Sequence, residues 1–137
     1  MYESCLENQV TVKKIFAACA TEEDKYERII ELGRSVRQLA EEYRVDGNLV
    51  PGCQSLMYMR SYVQGGKVFF EVSSDALISL GLAAIMLKIY NGETPEAILK
   101  CPPDCIQELG INASLTPGRA NGLYSIHLRM KQDALRY

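Results

Sequence analysis

The sequence predicts an α+β domain: a small antiparallel sheet of about three strands with helices packed on one face. Three observations predict it. Two stretches with helical spacing of apolar residues open the chain, two strand-like runs flank Gly65-Gly66, and a nearly all-apolar stretch from Ala76 to Tyr90 precedes three more helix starts. Helices, then strands, then helices is the order of an α+β fold rather than an alternating one. The 137 residues fit a single domain, residues 1–137, with no repeat, linker or low-complexity segment. A domain of that size buries about two-thirds of its unfolded surface and needs no covalent staple.

Each element has its own signal. Val10, Val12, Ile15 and Phe16 recur near helical spacing, giving a first helix from about Gln9 to Ala18. Thr21 followed by Glu22, Glu23 and Asp24 starts a second, with a capping hydroxyl and acidic side chains at its positive end. Tyr26, Ile29, Ile30, Gly33, Val36, Arg37 and Ala40 continue it as an amphipathic helix to about Tyr43. Arg44 to Gly52 holds Asp46-Gly47-Asn48 and Pro51-Gly52 without periodicity and reads as an exposed loop. Leu56 to Val63 and Lys67 to Ser73 read as antiparallel strands about the Gly65-Gly66 turn, with Val68, Phe70 and Val72 on one face. Ser74-Asp75 caps a central helix that Asn91-Gly92 stops. Thr94-Pro95-Glu96 and Pro102-Pro103 open two short helices, the second ending at Gly110, and Thr116-Pro117 opens a last one to about Arg136.

Composition narrows the function classes. A formal net charge of -2, from 15 basic and 17 acidic residues, gives no footprint for nucleic acid or an anionic membrane. The run from Ala76 to Tyr90 is too short for a membrane span and contains Lys88. Five cysteines, an odd number behind a start lacking the features of a secretory or organelle leader, point to reduced thiols in a cytoplasm rather than a disulfide framework.

The chemistry centres on Asn48-Leu49-Val50-Pro51-Gly52-Cys53-Gln54-Ser55. Pro51 fixes its own φ and extends Val50, and Gly52 permits geometries a side chain forbids, so the local chain aims Cys53. A thiol there is covered when the loop folds down and offered when it swings out. The plainer alternative is a small hydrophobe at the start of a strand. Cys101 and Cys105 have the spacing of a zinc ligand pair, with Cys53 or His127 imaginable as further ligands. No second close pair exists, so no metal is assigned to them. Cys5, near a terminus expected to be mobile, and Cys19, at a helix end, are read as packing residues or as residues without a role.

His127, the single histidine, is the natural base for a thiol, yet Ala120, Leu123, His127, Met130 and Ala134 share a helical stripe that turns it toward the core. Arg119 sits in the first turn of the last helix, where a cation opposes the dipole. That marks it as held for another purpose, against the plainer reading of a surface salt bridge or a tie to a carbonyl. Asp75 is most simply a helix cap.

Val50-Pro51-Gly52-Cys53-Gln54-Ser55 resembles the active-site loop of the SufE/CsdE sulfur-acceptor proteins, V-x-G-C-Q-S or close to it. Three further stretches resemble that family in the same order: Lys25 to Gly33, Ser74-Asp75-Ala76 leading to Gly81-Leu82, and Leu115-Thr116-Pro117-Gly118-Arg119-Ala120-Asn121-Gly122-Leu123. Together they run from about Phe16 to Met130. The resemblance implies a SufE/IscU-like fold and an acceptor whose Cys53 takes persulfide sulfur from a pyridoxal-phosphate cysteine desulfurase (SufS/CsdA-like). Cys53 would then deliver it to an iron–sulfur scaffold (SufBCD-like).

It implies no cofactor of the chain's own, a monomer or homodimer, and a desulfurase activator rather than an autonomous enzyme. Arg119 matches the arginine of the family's T-P-x-R block, which implies support of the Cys53 loop or its thiolate. Asp75 lies in the S-D-A segment near the same loop, which implies a part in keeping it closed. The position of His127 is usually apolar in the family. Cys101 and Cys105 are additions to the family pattern and open the question of a sulfur relay, and Gly118 stands where serine or threonine is common. The alternatives are an iron–sulfur scaffold holding a cluster through Cys53 and other cysteines, and an interaction module with structural cysteines.

Overall fold

A computed structural model describes residues 2–137. Helix α1 (Glu3–Phe16) buries Cys5, Gln9, Val12 and Phe16 along one side. It starts earlier than the apolar spacing placed it, because two of those inward positions are a cysteine and a glutamine. Cys5 is fully buried rather than part of a mobile terminus. Gln9 holds its inward place by hydrogen bonding: its Nε2 donates to the Pro102 carbonyl at 2.8 Å and its Oε1 accepts the Cys105 amide at 2.9 Å.

Helix α2 (Glu22–Arg34) begins as expected, with the Asp24 amide donating to Thr21 Oγ1 at 3.0 Å. It ends at Arg34 and not near Tyr43. The Leu39 amide instead donates to the Val72 carbonyl at 2.7 Å, which draws residues 36–40 out alongside the sheet and buries Leu39. Two short 3-10 turns, Glu41–Tyr43 and Asp46–Asn48, lead on to the cysteine loop.

The sheet has two strands, β1 (Met57–Gln64) and β2 (Lys67–Ser74), rather than about three. Isolated bridges, Leu49 to Tyr58 and Val68 to Glu93, occupy the places a third strand would take. The antiparallel register pairs Met59 with Val72 and Val63 with Val68 across a turn in which Gly65 and Gly66 have φ of 61° and 77°. Met57, Met59, Val68, Phe70 and Val72 face the core. On the other face Arg60 pairs with Glu71 at 2.8 Å, and Tyr62 stacks on Phe69.

Helix α3 (Leu77–Tyr90) is buried nearly all round and packs against α1, α2, β2 and α6 (Pro117–Ala134). Ser74 Oγ accepts the Ala76 amide before it, whereas Asp75 is exposed and caps nothing. The helix starts at Leu77 with Ala76 in the capping position, so the Asp75 carboxylate stands one residue short of the place from which it could accept the free amides. Where α2 crosses α3 the backbones touch: a Cβ on Gly81 would run into the Ile29 carbonyl, and one on Gly33 into the Leu77 carbonyl. Two short helices, α4 (Pro95–Lys100) and α5 (Asp104–Glu108), and a 3-10 turn (Ile111–Ser114) complete the chain. Among the described residues no helix is long and apolar enough to cross a membrane.

Candidate functional site

The cysteine loop is a closed stem with a short free arc. At the stem the Val50 amide donates to the Met57 carbonyl at 2.8 Å, Leu49 bridges Tyr58, and Val50 is buried in the core. Between them, residues 51–56 make no backbone–backbone hydrogen bond of good geometry among the described residues. Beyond its turn at Pro51-Gly52 the arc is tied by side chains.

It lies antiparallel along one face of α6. Gly52, at φ 86°, sits where a Cβ would be 2.5 Å from Ser125 Oγ; Cys53 Sγ is 3.9 Å from the Gly122 carbonyl; the Gln54 amide packs over Gly118; and Arg119 Nη1 donates to Ser55 Oγ at 2.6 Å. Gly118, Gly122 and Ser125 follow the i, i+4, i+7 spacing of a single helix face, so the helix presents no bulk to the loop. A Cβ at Gly118 would fall 2.7 Å from Gln54 Oε1, the far end of a flexible side chain that would have to turn aside.

Arg119 Nη1 also donates to Ser79 Oγ on α3 at 2.9 Å, and Ser79 is buried. One guanidinium thus joins α6, the loop and the central helix. Its charge also reaches the thiol: burial pushes Cys53 above the ordinary thiol value, and Arg119 pulls it part of the way back. Asp75 borders the same cleft, of about 400 Å³, together with residues 49–56. Its carboxylate makes no hydrogen bond or ion pair among the described residues.

Because burial raises the thiol, any opening of the loop would be coupled to its ionisation. A group that prefers its neutral form when covered favours the closed loop fully at pH below the open-state pKa, and that preference is lost as pH rises through the closed-state pKa. Alkylation of Cys53, followed by peptide mapping, is expected to climb with pH with its inflection on the alkaline side of the about 8.5 of an unperturbed thiol. The same chain in urea supplies the reference titration. An inflection at or below the urea value would show that closure does not suppress ionisation.

The remaining cysteines and His127 lie elsewhere. Cys5, Cys101 and Cys105 are buried, and burial pushes Cys5 well up and Cys105 to about 11. Cys19 is half-buried, with Sγ 3.8 Å from the Asp24 carbonyl. His127 stacks on Tyr90 with ring centres 5.3 Å apart and borders a separate cavity of about 160 Å³ with Met86, Leu123 and Tyr124. Burial, then Lys131, lowers its pKa to about 4, and its Nε2 has no hydrogen-bond partner among the described residues. Among the described residues no three of His, Cys, Asp and Glu are placed to hold a metal ion, so the Cys101–Cys105 pair is not joined by Cys53 or His127.

Sequence reasoning missed Ser79, Ser125, Gly122 and Arg129. The small-residue spacing on α6 was a readable signal for two of them. Ser79 and Arg129 meet their partners only through the tertiary fold.

Residues 10–134 match the family model described as the Fe-S metabolism associated domain, SufE. An uncharacterized SufE-like protein of Synechocystis sp. is 36% identical over 113 residues, covering 82% of this chain and 71% of its own length. One from Rhizobium etli is 35% identical over 117 residues, covering 82% and 79%. The SufE-like protein 1, chloroplastic/mitochondrial, of Arabidopsis thaliana is 31% identical over 125 residues, and the chain, though 90% covered, spans only 34% of it. The solution structure of a hypothetical protein from Thermus thermophilus superposes with a TM-score of 0.76 at 24% identity, covering 94% of both chains, and so shares the fold.

Proposed function

This chain belongs to the SufE family of Fe-S metabolism associated domains, and on that premise we propose that it is a sulfur acceptor working through Cys53. Its donor is a pyridoxal-phosphate cysteine desulfurase. The cofactor resides on that partner, and the chain brings none of its own. The Cys53 thiolate attacks the outer sulfur of the donor's persulfide. The donor S–S bond breaks, a new one forms to Cys53, and the donor cysteine leaves as thiolate with no net oxidation. Draining the persulfide stimulates the desulfurase, and Cys53 then passes its sulfur to an iron–sulfur scaffold. Five free thiols suit a reducing compartment, the cytoplasm.

The observation that carries the reading is a nucleophile on an arc that, beyond its Pro51-Gly52 turn, is held by side chains between two fixed ends. Such an arc can carry a thiol into another protein's pocket and bring it back under cover. In the closed state the neutral thiol is favoured, so the nucleophilic form arises together with exposure. Arg119 holds the arc closed at Ser55, and Asp75 stands at the rim of the cleft without a partner of its own among the described residues, free to meet the donor protein. A cluster scaffold requires Cys53 to share a site with other ligating cysteines, and the placement of Cys5, Cys101 and Cys105 does not supply one.

Incubation with a turning-over cysteine desulfurase and cysteine, followed by intact-mass measurement and peptide mapping, is the direct test. The expected product gains one sulfur atom on the Cys53 peptide, removable by a dithiol. A wild-type chain that stays unmodified beside an active donor would overturn the assignment.

A further inference from the structure

We propose that Arg129, gripped by Asp133, is a positioning residue that locks the stem of the Cys53 loop so that only residues 51–56 swing. The inference rests on the acceptor reading above and adds a residue outside the loop and outside the Arg119 contact.

Arg129 projects from α6 one turn beyond Ser125, with its side chain only 15% exposed. Its Nη1 donates to the Leu49 carbonyl at 3.1 Å; its Nη2 donates to the Gly47 carbonyl at 3.2 Å and, at 3.4 Å, to the Met59 carbonyl. Two of those carbonyls stand on the incoming arm of the loop and the third on β1, the strand that carries the outgoing arm away. The guanidinium therefore ties together the two sides of the stem and the helix on which the arc rests. Its planar fork of donors can serve three acceptors at once, where an ammonium on a flexible stem would not fix their directions.

Asp133 Oδ1 takes the remaining Arg129 Nε–H at 3.0 Å and is itself buried, with Arg136 Nη2 3.5 Å away. A carboxylate held at that depth orients the fork rather than merely neutralising it. The consequence is mechanical. The pivots fall at Pro51 and Leu56, so Cys53 is never more than three residues from a fixed point. Its reach is then about 10 Å at most, at roughly 3.4 Å per extended residue. It leaves in a direction set by the stem.

The test uses amide exchange and desulfurase kinetics on Arg129→Gln, with Asp133→Asn as a milder variant should the first fail to fold. Exchange of the Val50 amide is expected to accelerate about tenfold in Arg129→Gln, the effect of losing charged hydrogen bonds, and about threefold in Asp133→Asn, while the β1–β2 ladder amides hold. With saturating cysteine, the acceptor concentration giving half-maximal desulfurase rate is expected to rise by a similar factor at a nearly unchanged maximal rate.

Equal acceleration of all amides would make Arg129 a contributor to global stability only and overturn the proposal. So would loss of Val50 protection with half-saturation unmoved. If the wild type accepts no sulfur, the acceptor reading fails, and the exchange pattern still decides whether the stem is locked.

Discussion

Replacing Cys53 by serine is expected to leave the fold and melting temperature within error of wild type and to abolish sulfur uptake and desulfurase stimulation. The substitution is nearly isosteric at a half-buried position, and a hydroxyl there, out of reach of the Gly122 carbonyl that lies 3.9 Å from sulfur, can turn to the solvent of the cleft. The stability change should fall within about 0.5 kcal/mol. Chemically the change is complete, because a hydroxyl at neutral pH supplies neither the thiolate nor the sulfur to build on. Thermal melts, intact mass and the rate of cysteine turnover report the three quantities. Retained uptake in the variant would move the function to another thiol, and half-exposed Cys19 would be the first to map.

The second large effect concerns folding. Gly81→Ala is expected to destabilise the domain by about 3 kcal/mol, since overpacking commonly costs about 1–3 kcal/mol and here the obstruction is backbone that cannot rotate away. For a chain of this length that corresponds to a fall of roughly 10 °C in Tm. The cost arises because α2 and α3 meet at bare Cα atoms, Gly33 against the Leu77 carbonyl and Gly81 against the Ile29 carbonyl.

Gly122→Ala is the built-in control. Apart from its chain neighbours and its own helix backbone, no described atom lies within 4 Å of a Cβ there, so the better helix former should be neutral or stabilising by up to about 1 kcal/mol. A melt in which the two alanines behaved alike would show that the crossing is not close-packed.

These glycines also show what the residues revealed and what they withheld. The hairpin turn, the Thr-Pro helix starts and the apolar central helix were legible because each is a local preference written in adjacent residues. The start of α1 was not, since Gln9 faces inward only because the turn at Pro102 to Cys105 comes round to meet it. The end of α2 was hidden for the same reason: Leu39 leaves the helix to pair with Val72, a partner fixed by the sheet.

At the site, Pro51-Gly52 aimed attention at Cys53, and the awkward cation Arg119 drew notice by opposing the helix dipole. What it bonds could not be read, because Ser55 and Ser79 lie 64 and 40 residues from it along the chain. Asp75 looked like a cap from its place before a helix. The helix begins one residue too late for it, and the carboxylate is left at the rim of the cleft.

The bare face of α6 has a kinetic meaning. A loop laid along Gly118, Gly122 and Ser125 has no bulky side chain of that face to clear, so on the acceptor reading the step that gates its release is breaking the Arg119–Ser55 hydrogen bond. Two proteins at micromolar concentration associate at about 10⁵–10⁷ M⁻¹s⁻¹, which sets how often they collide productively. If Cys53 relays sulfur as proposed and the loop opens faster than that, throughput would be governed by diffusion and docking, and raising the concentration of either protein would do more than loosening the hinge.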